Sequence, residues 1–148
     1  MLVTTLNEIK KHDPCESGWK TILRYLGKTK ADDEELSFLT ILESNGFDDA
    51  LWCARSAPEY SYEWRMFAAW CIEQIKHITD ESIYLIDRVA VTRNAAIAAE
   101  YASEKAADIY ANYAAEDVDD ANDDNAWDAF SGARDCQRKQ FIKIISGE

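Results

Sequence analysis

Apolar positions along the chain recur mostly at steps of three and four residues, the pattern of helices that bury one face. Thr5 and Glu8 have capping-box spacing ahead of a short helix through Lys11. Asp13, Pro14 and Glu16 supply an N-cap, a proline at the first helical position and a capping acid. Cys15, Trp19, Ile22 and Leu26 then follow on one face until Gly27 stops the helix. After a polar stretch over 28–35, the pattern predicts a helix over 36–44 ending at Asn45-Gly46, and another from Asp48 or Asp49 to about Arg55, closed by Pro58. Phe67, Trp70, Cys71 and Ile78 mark a longer helix from Tyr62 to His77, and Thr79 and Asp80 offer caps for the next, whose apolar face reads Ile83, Ile86, Ala90. No alternating β pattern and no hairpin dipeptide is found, so no strand is expected.

The last third changes character. Between residues 90 and 133 alanine dominates, and Ala95, Ala99, Ala102, Ala106, Ile109 and Tyr113 repeat at alternating four- and three-residue steps. A seam of such small side chains lets a neighbouring helix approach closely. A final helix over about 125–145 carries Ala126, Phe130, Ala133, Gln137, Phe141 and Ile144 on its seam, with Lys139 and Lys143 near the end where the helix dipole favours cations. The expected fold class is all-α: a compact multi-helix bundle of stacked helical hairpins with a long Ala-rich C-terminal hairpin. One helical domain is expected over 1–148, with short helices in 1–58 and longer ones in 59–148.

Charge changes this picture. The chain of 148 residues carries 28 acids against 16 bases, a net charge of −12. Residues 100–128 hold ten acids and one base, Lys105, while the remainder holds 18 acids and 15 bases. A nearly balanced domain thus carries one acidic edge at 100–128, which argues against direct binding to nucleic acid or to anionic membranes. The N-terminus lacks the features of a signal peptide and no segment is apolar enough to span a membrane, so a cytoplasmic protein is expected.

Along that edge every fourth residue reads Glu100, Glu104, Asp108, Asn112, Glu116, Asp120, Asp124, Asp128. Steps of four rise about 6 Å along a helix and form an inclined row. Asp and Asn over 116–124 favour a turn, which would divide the row in two. Calcium fits poorly: Asp120, Asn122, Asp124 and Asp128 take the first, third, fifth and ninth positions of an EF-hand loop, but Asn125 replaces its glycine and Ser131 its final glutamate. A row of acids on an exposed face is also no catalytic carboxylate pair. Two readings stay open: a solvated face that maintains solubility, and a surface whose carboxylates take the place of nucleic-acid phosphates in a partner's basic groove.

Four cysteines, Cys15, Cys53, Cys71 and Cys136, lie far apart without CxxC spacing, two of them directly after tryptophans, and read as buried reduced thiols. His12 and His77 are the two histidines. With Pro14 between His12 and Cys15 and no second ligand pair, neither a zinc site nor a Cys-His nucleophile is expected. The expectation is no metal, no cofactor and no enzymatic activity. Trp19, Trp52, Trp64 and Trp70 are assigned to the core. Tyr60 and Tyr62, beside Pro58, are candidate interface anchors.

The segments Asp13-Pro-Cys-Glu-Ser-Gly-Trp19, Leu26-Gly-Lys-Thr-Lys30, Ile41-Leu-Glu-Ser-Asn-Gly46 and Asp48-Asp-Ala-Leu-Trp-Cys53 resemble the opening of a family of small helical immunity proteins common in phage and bacterial genomes. Ala133-Arg134-Asp135 and Arg138-Lys139-Gln140 are similar to that family's closing part. The resemblance implies no catalytic residues. Asp and Asn over 116–125 replace the family's usual Ala and Trp run, which points to a specialised acidic surface in a phage anti-defence, anti-CRISPR-like member. The expected function is binding and blocking a host defence complex of the CRISPR-Cas effector type through Glu100, Glu104, Asp108, Glu116, Asp120 and Asp124. The alternative is an immunity protein that neutralises a bacterial toxin, with contact through Tyr60 and Tyr62. In either case the partner is a protein, and neither nucleic acid nor membrane is bound directly.

Overall fold

The computed structural model describes residues 1–116 and 123–148, the side chains of Glu116 and Asp123 excepted. The chain opens with a strand β1 (Val3–Thr5) and helix α1 (Leu6–Lys10). Thr5 caps α1 as its spacing predicts, its hydroxyl accepting from the Glu8 N–H at 3.1 Å. Helix α2 (Glu16–Leu26) begins two residues later than expected. Asp13 takes a left-handed conformation at φ 52°, and Cys15 Sγ, not a carboxylate, accepts from the Gly18 N–H at 3.4 Å. Gly27 closes α2 at φ 64°, the left-handed cap that glycine adopts without a Cβ clash.

Glu35–Ser37 forms β2, antiparallel to β1, with Val3 opposite Ser37 and Thr5 opposite Glu35. This corrects the expectation of no strand. Three residues per strand are too few to write an alternating pattern into the sequence, and the pairing is set by contacts between distant segments. Leu36 therefore lies in a strand, and helix α3 (Phe38–Asn45) starts after Ser37, whose Oγ accepts from the Thr40 N–H at 3.1 Å. Helix α4 (Phe47–Cys53) follows Gly46, and two 3₁₀ turns, Ala54–Ser56 and Pro58–Tyr60, lead into α5 (Ser61–Glu73).

Helix α6 (Glu81–Val91) turns a different face inward from the one expected. Ser82, Leu85 and Val89 are buried, whereas Ile83, Ile86 and Ala90 face solvent. Apolar residues occupy both sides of this helix, so periodicity alone could not choose between them. Its C-terminal end is held by Arg65 of α5, whose guanidinium donates to the carbonyls of Val89 at 2.8 Å, Thr92 at 2.5 Å and Arg93 at 3.2 Å.

Helices α7 (Ala95–Glu116) and α8 (Asp123–Ser146) form the Ala-rich antiparallel pair. On α7 the predicted seam of Ala95, Ala99, Ala102 and Ala106 is buried. Ala98, Ser103, Ala107 and Ala111 are buried too, so the helix is covered on two sides, chiefly by α5 and α8. Small side chains make that double contact feasible.

The architecture is all-α apart from the two short strands. Its centre is a cluster of rings. Phe141 of α8, fully buried, lies 5.5 Å from Phe47 and from Phe67 and 6.0 Å from Trp64, which in turn meets Phe38 edge-on at 5.2 Å. The Trp64 indole N–H donates to Ala57 O at 3.0 Å, so its polar edge is satisfied. Trp19, Trp52 and Trp70, expected in the core, are half-buried at its margin. Leu2 ties the first residues to the last helix, its N–H donating to Ile145 O at 2.7 Å.

Candidate functional site

The two long helices differ along their length, and the difference defines a surface. Toward the core, α7 and α8 are joined by a buried polar cluster. Ser103 Oγ donates to Gln137 Oε1 at 2.8 Å, and Gln137 Nε2 donates back to Ser103 O at 2.8 Å. Arg134 joins the same cluster, donating to Gln137 Oε1 at 3.0 Å and bonding Ser103 Oγ, while its other nitrogen pairs with Asp48 of α4 and its plane covers Phe47 at 4.6 Å. Toward the far end no such cluster is present among the described residues, and acidic and aromatic side chains face solvent instead.

Of the predicted row, Glu104 and Asp124 are exposed, as is Asp128 one turn beyond Asp124, and none of these three pairs with a cation among the described residues. Asp108 is half-buried, 3.6 Å from Lys105 Nζ. Glu100 stands apart from the row: it is half-buried in an ion pair with Arg55, which lies 4.4 Å over the Trp52 ring and donates to Trp52 O at 2.8 Å. Asp120 lies outside the described residues, as does the side chain of Glu116. Helix α7 ends at Glu116 and α8 starts at Asp123, so the described acids fall on two helices rather than one. Like charges four residues apart cost roughly 0.2–0.5 kcal/mol per pair. Ion pairs at Glu100 and Asp108 offset part of that on α7.

Three aromatic residues belong to this end; Trp127 and Tyr110 were not singled out from the sequence, and Tyr113, expected on the seam of α7, is exposed because the packed stretch of that helix ends before it. Trp127 is 68% exposed, stacked on Phe130 at 6.1 Å, and Tyr110 and Tyr113 of α7 are exposed as well. The signal for Trp127 was present: it sits one position off the Ala126–Phe130–Ala133 seam, between Asp124 and Asp128. The two tyrosines proposed as anchors separate. Tyr60 is half-buried with its ring edge-on to Trp64 at 6.3 Å, whereas Tyr62 is 71% exposed.

A cleft of about 550 Å³ between the end of α5, α7 and α8 brings His77 and Cys136 to one surface, with Trp70, Tyr110 and Asp128 among its walls. No hydrogen bond links His77 to Cys136 or to Asp128 among the described residues, so the cleft holds no assembled proton relay. Cys136 and Cys15 are exposed, correcting the expectation of four buried thiols. Cys53 and Cys71 are buried, and burial pushes both thiols up to about 12. All four are free.

No family model, curated protein or solved structure was found to match the chain. No helix among the described residues is long and apolar enough to cross a membrane.

Proposed function

We propose that this chain is a binding protein, not an enzyme, and that it blocks a partner whose own task is to hold nucleic acid, a CRISPR-Cas-type defence effector in the host cytoplasm. The contact is the far end of the α7–α8 pair. The observation that carries this reading is the coincidence there of the carboxylates of Asp124 and Asp128, which have no cationic partner among the described residues, with the exposed rings of Tyr113 and Trp127, while Glu104 and Asp108 extend the acidic row along α7. Carboxylates about 6 Å apart along a helix meet a groove built for phosphates. Aromatic rings beside them supply the apolar anchoring that charge alone lacks. Such a contact associates quickly at low salt and weakens as salt rises.

The test is capture of partners from host extract across a salt series, with wild type beside a Glu104→Lys, Asp108→Lys, Asp124→Lys variant. The expected result is a partner that is lost from the variant and displaced by added nucleic acid. A partner that binds the variant equally well and ignores nucleic acid overturns the reading.

A second reading, toxin neutralisation, is favoured by a different surface. Tyr62 and Met66 on α5 and Ile83, Tyr84 and Ile86 on α6 are exposed on neighbouring helices. Exposed apolar groups of this kind mark protein contacts that are insensitive to salt. A partner lost on Tyr62→Ala but not on charge reversal would favour it.

A further inference from the structure

A cavity of about 270 Å³ lies between α2, α3 and α4 and reaches Glu100 of α7. Trp19, Trp52 and, at its floor, Gly18 are among the residues that line it. The floor is built around the absence of a side chain. Asn45 Nδ2 donates to Gly18 O and to Asp49 Oδ2, each at 2.9 Å, and Cys15 Sγ accepts from the Gly18 N–H. A Cβ at Gly18 would stand 2.8 Å from Asp49 Oδ2 and 3.1 Å from Cys15 Sγ, so any other residue there would push the carboxylate away.

Charge around the cavity is uneven. Asp48 is paired with Arg134 and Glu100 with Arg55, but Asp49, half-buried, has no cationic partner among the described residues. One uncompensated carboxylate is thus held by Asn45 in an aromatic-walled hollow. Electron-rich ring faces and a carboxylate both attract a cation, repel an anion and give a neutral group only its apolar burial. The volume is just under the range of about 300–1,000 Å³ typical of small-molecule pockets, which limits an occupant to a small amine or a single side chain.

We propose that this cavity binds an alkylammonium or guanidinium cation on a short apolar stem, with Asp49 as counter-charge and Trp19 and Trp52 as walls. Arg55 already covers part of the Trp52 ring while its charge is taken up by Glu100, so the remaining attraction is directed by Asp49. The site is separate from the acidic end of the α7–α8 pair, and its success or failure does not depend on that surface.

Titration of the full chain, followed by NMR of the Trp19 and Trp52 indole N–H groups, tests it. The probes are n-butylammonium, the neutral n-pentanol, whose extra methylene favours it by apolar burial and so makes the comparison stricter, and butyrate. The expected result is a saturable shift with butylammonium, binding weaker by about tenfold or more with pentanol, and none with butyrate. Asp49→Asn should weaken butylammonium by about tenfold while leaving pentanol unchanged. Equal binding of butylammonium and pentanol, no saturation, or an Asp49→Asn variant that binds the cation as wild type does would overturn the proposal. Should Asp49→Asn fail to fold, the three-probe comparison on wild type decides alone. Within a positive result, Nα-acetyl-lysine amide binding more tightly than butylammonium identifies a partner's side chain as the source, and weaker binding a free amine.

Discussion

The core-facing and outward halves of the α7–α8 pair are made from the same Ala-rich helices and put them to opposite use. In the first, Phe141 completes the ring cluster and Ser103, Gln137 and Arg134 form a closed set of hydrogen bonds reaching α4. In the second, Trp127, Tyr110 and Tyr113 are exposed among acids. A helix pair can thus be rigid at one end and chemically available at the other. Substitutions in the two halves should therefore separate stability from binding.

The largest expected effect is at Phe141→Ala. Removing a fully buried ring from the centre of the cluster should cost about 3–5 kcal/mol, read as a fall in the denaturation midpoint. Next comes Ala102→Leu. Ala102 is fully buried on the seam, and added methylenes should cost about 1–3 kcal/mol through overpacking between α7 and its neighbours. In the outward half, Trp127→Ala should change stability by no more than about 0.5 kcal/mol yet weaken partner binding by about 2 kcal/mol if the ring is a central anchor. Equal losses of stability in both halves would dissolve the contrast. Thiol alkylation of the native protein should mark Cys15 and Cys136 quickly and spare Cys53 and Cys71 until unfolding, as peptide mass mapping can show. The smallest effect is one of pH. Lys28, hydrogen-bonded to Asp32, holds that carboxyl below its ordinary value of 3.8. The pair therefore contributes above that value, and its contribution fades as pH falls through the lower, folded-state value, which a carboxyl NMR titration follows.

Much of the helical framework was legible because local chemistry writes it. Thr5, Gly27 and Gly46 stand at the boundaries their residue types predict, and the alanine seam is buried where its spacing places it. What escaped depends on contacts between distant segments. The strand pairing of Val3–Thr5 with Glu35–Ser37 has no local pattern, and α6 is apolar on both sides, so which face it buries is settled by its packing on α5 and α7. The candidate surface was readable in part. Charge counting found the acidic edge, but Glu100, which has the right spacing, is drawn into an ion pair with Arg55, 45 residues away in the chain. Trp127 was overlooked because a tryptophan beside a seam is ordinarily assigned inward.

Helix α7 has one further consequence, for sequence drift. Where its sides are pressed between α5 and α8, the buried positions from Ala95 to Ala111 admit little larger than alanine or serine. The exposed positions Glu104, Lys105 and Asn112 are the ones that can vary with least disturbance to the packing. If the proposed contact holds, a lineage of such chains can retune it by rewriting one stripe of a single helix while the buried positions of that helix stay frozen.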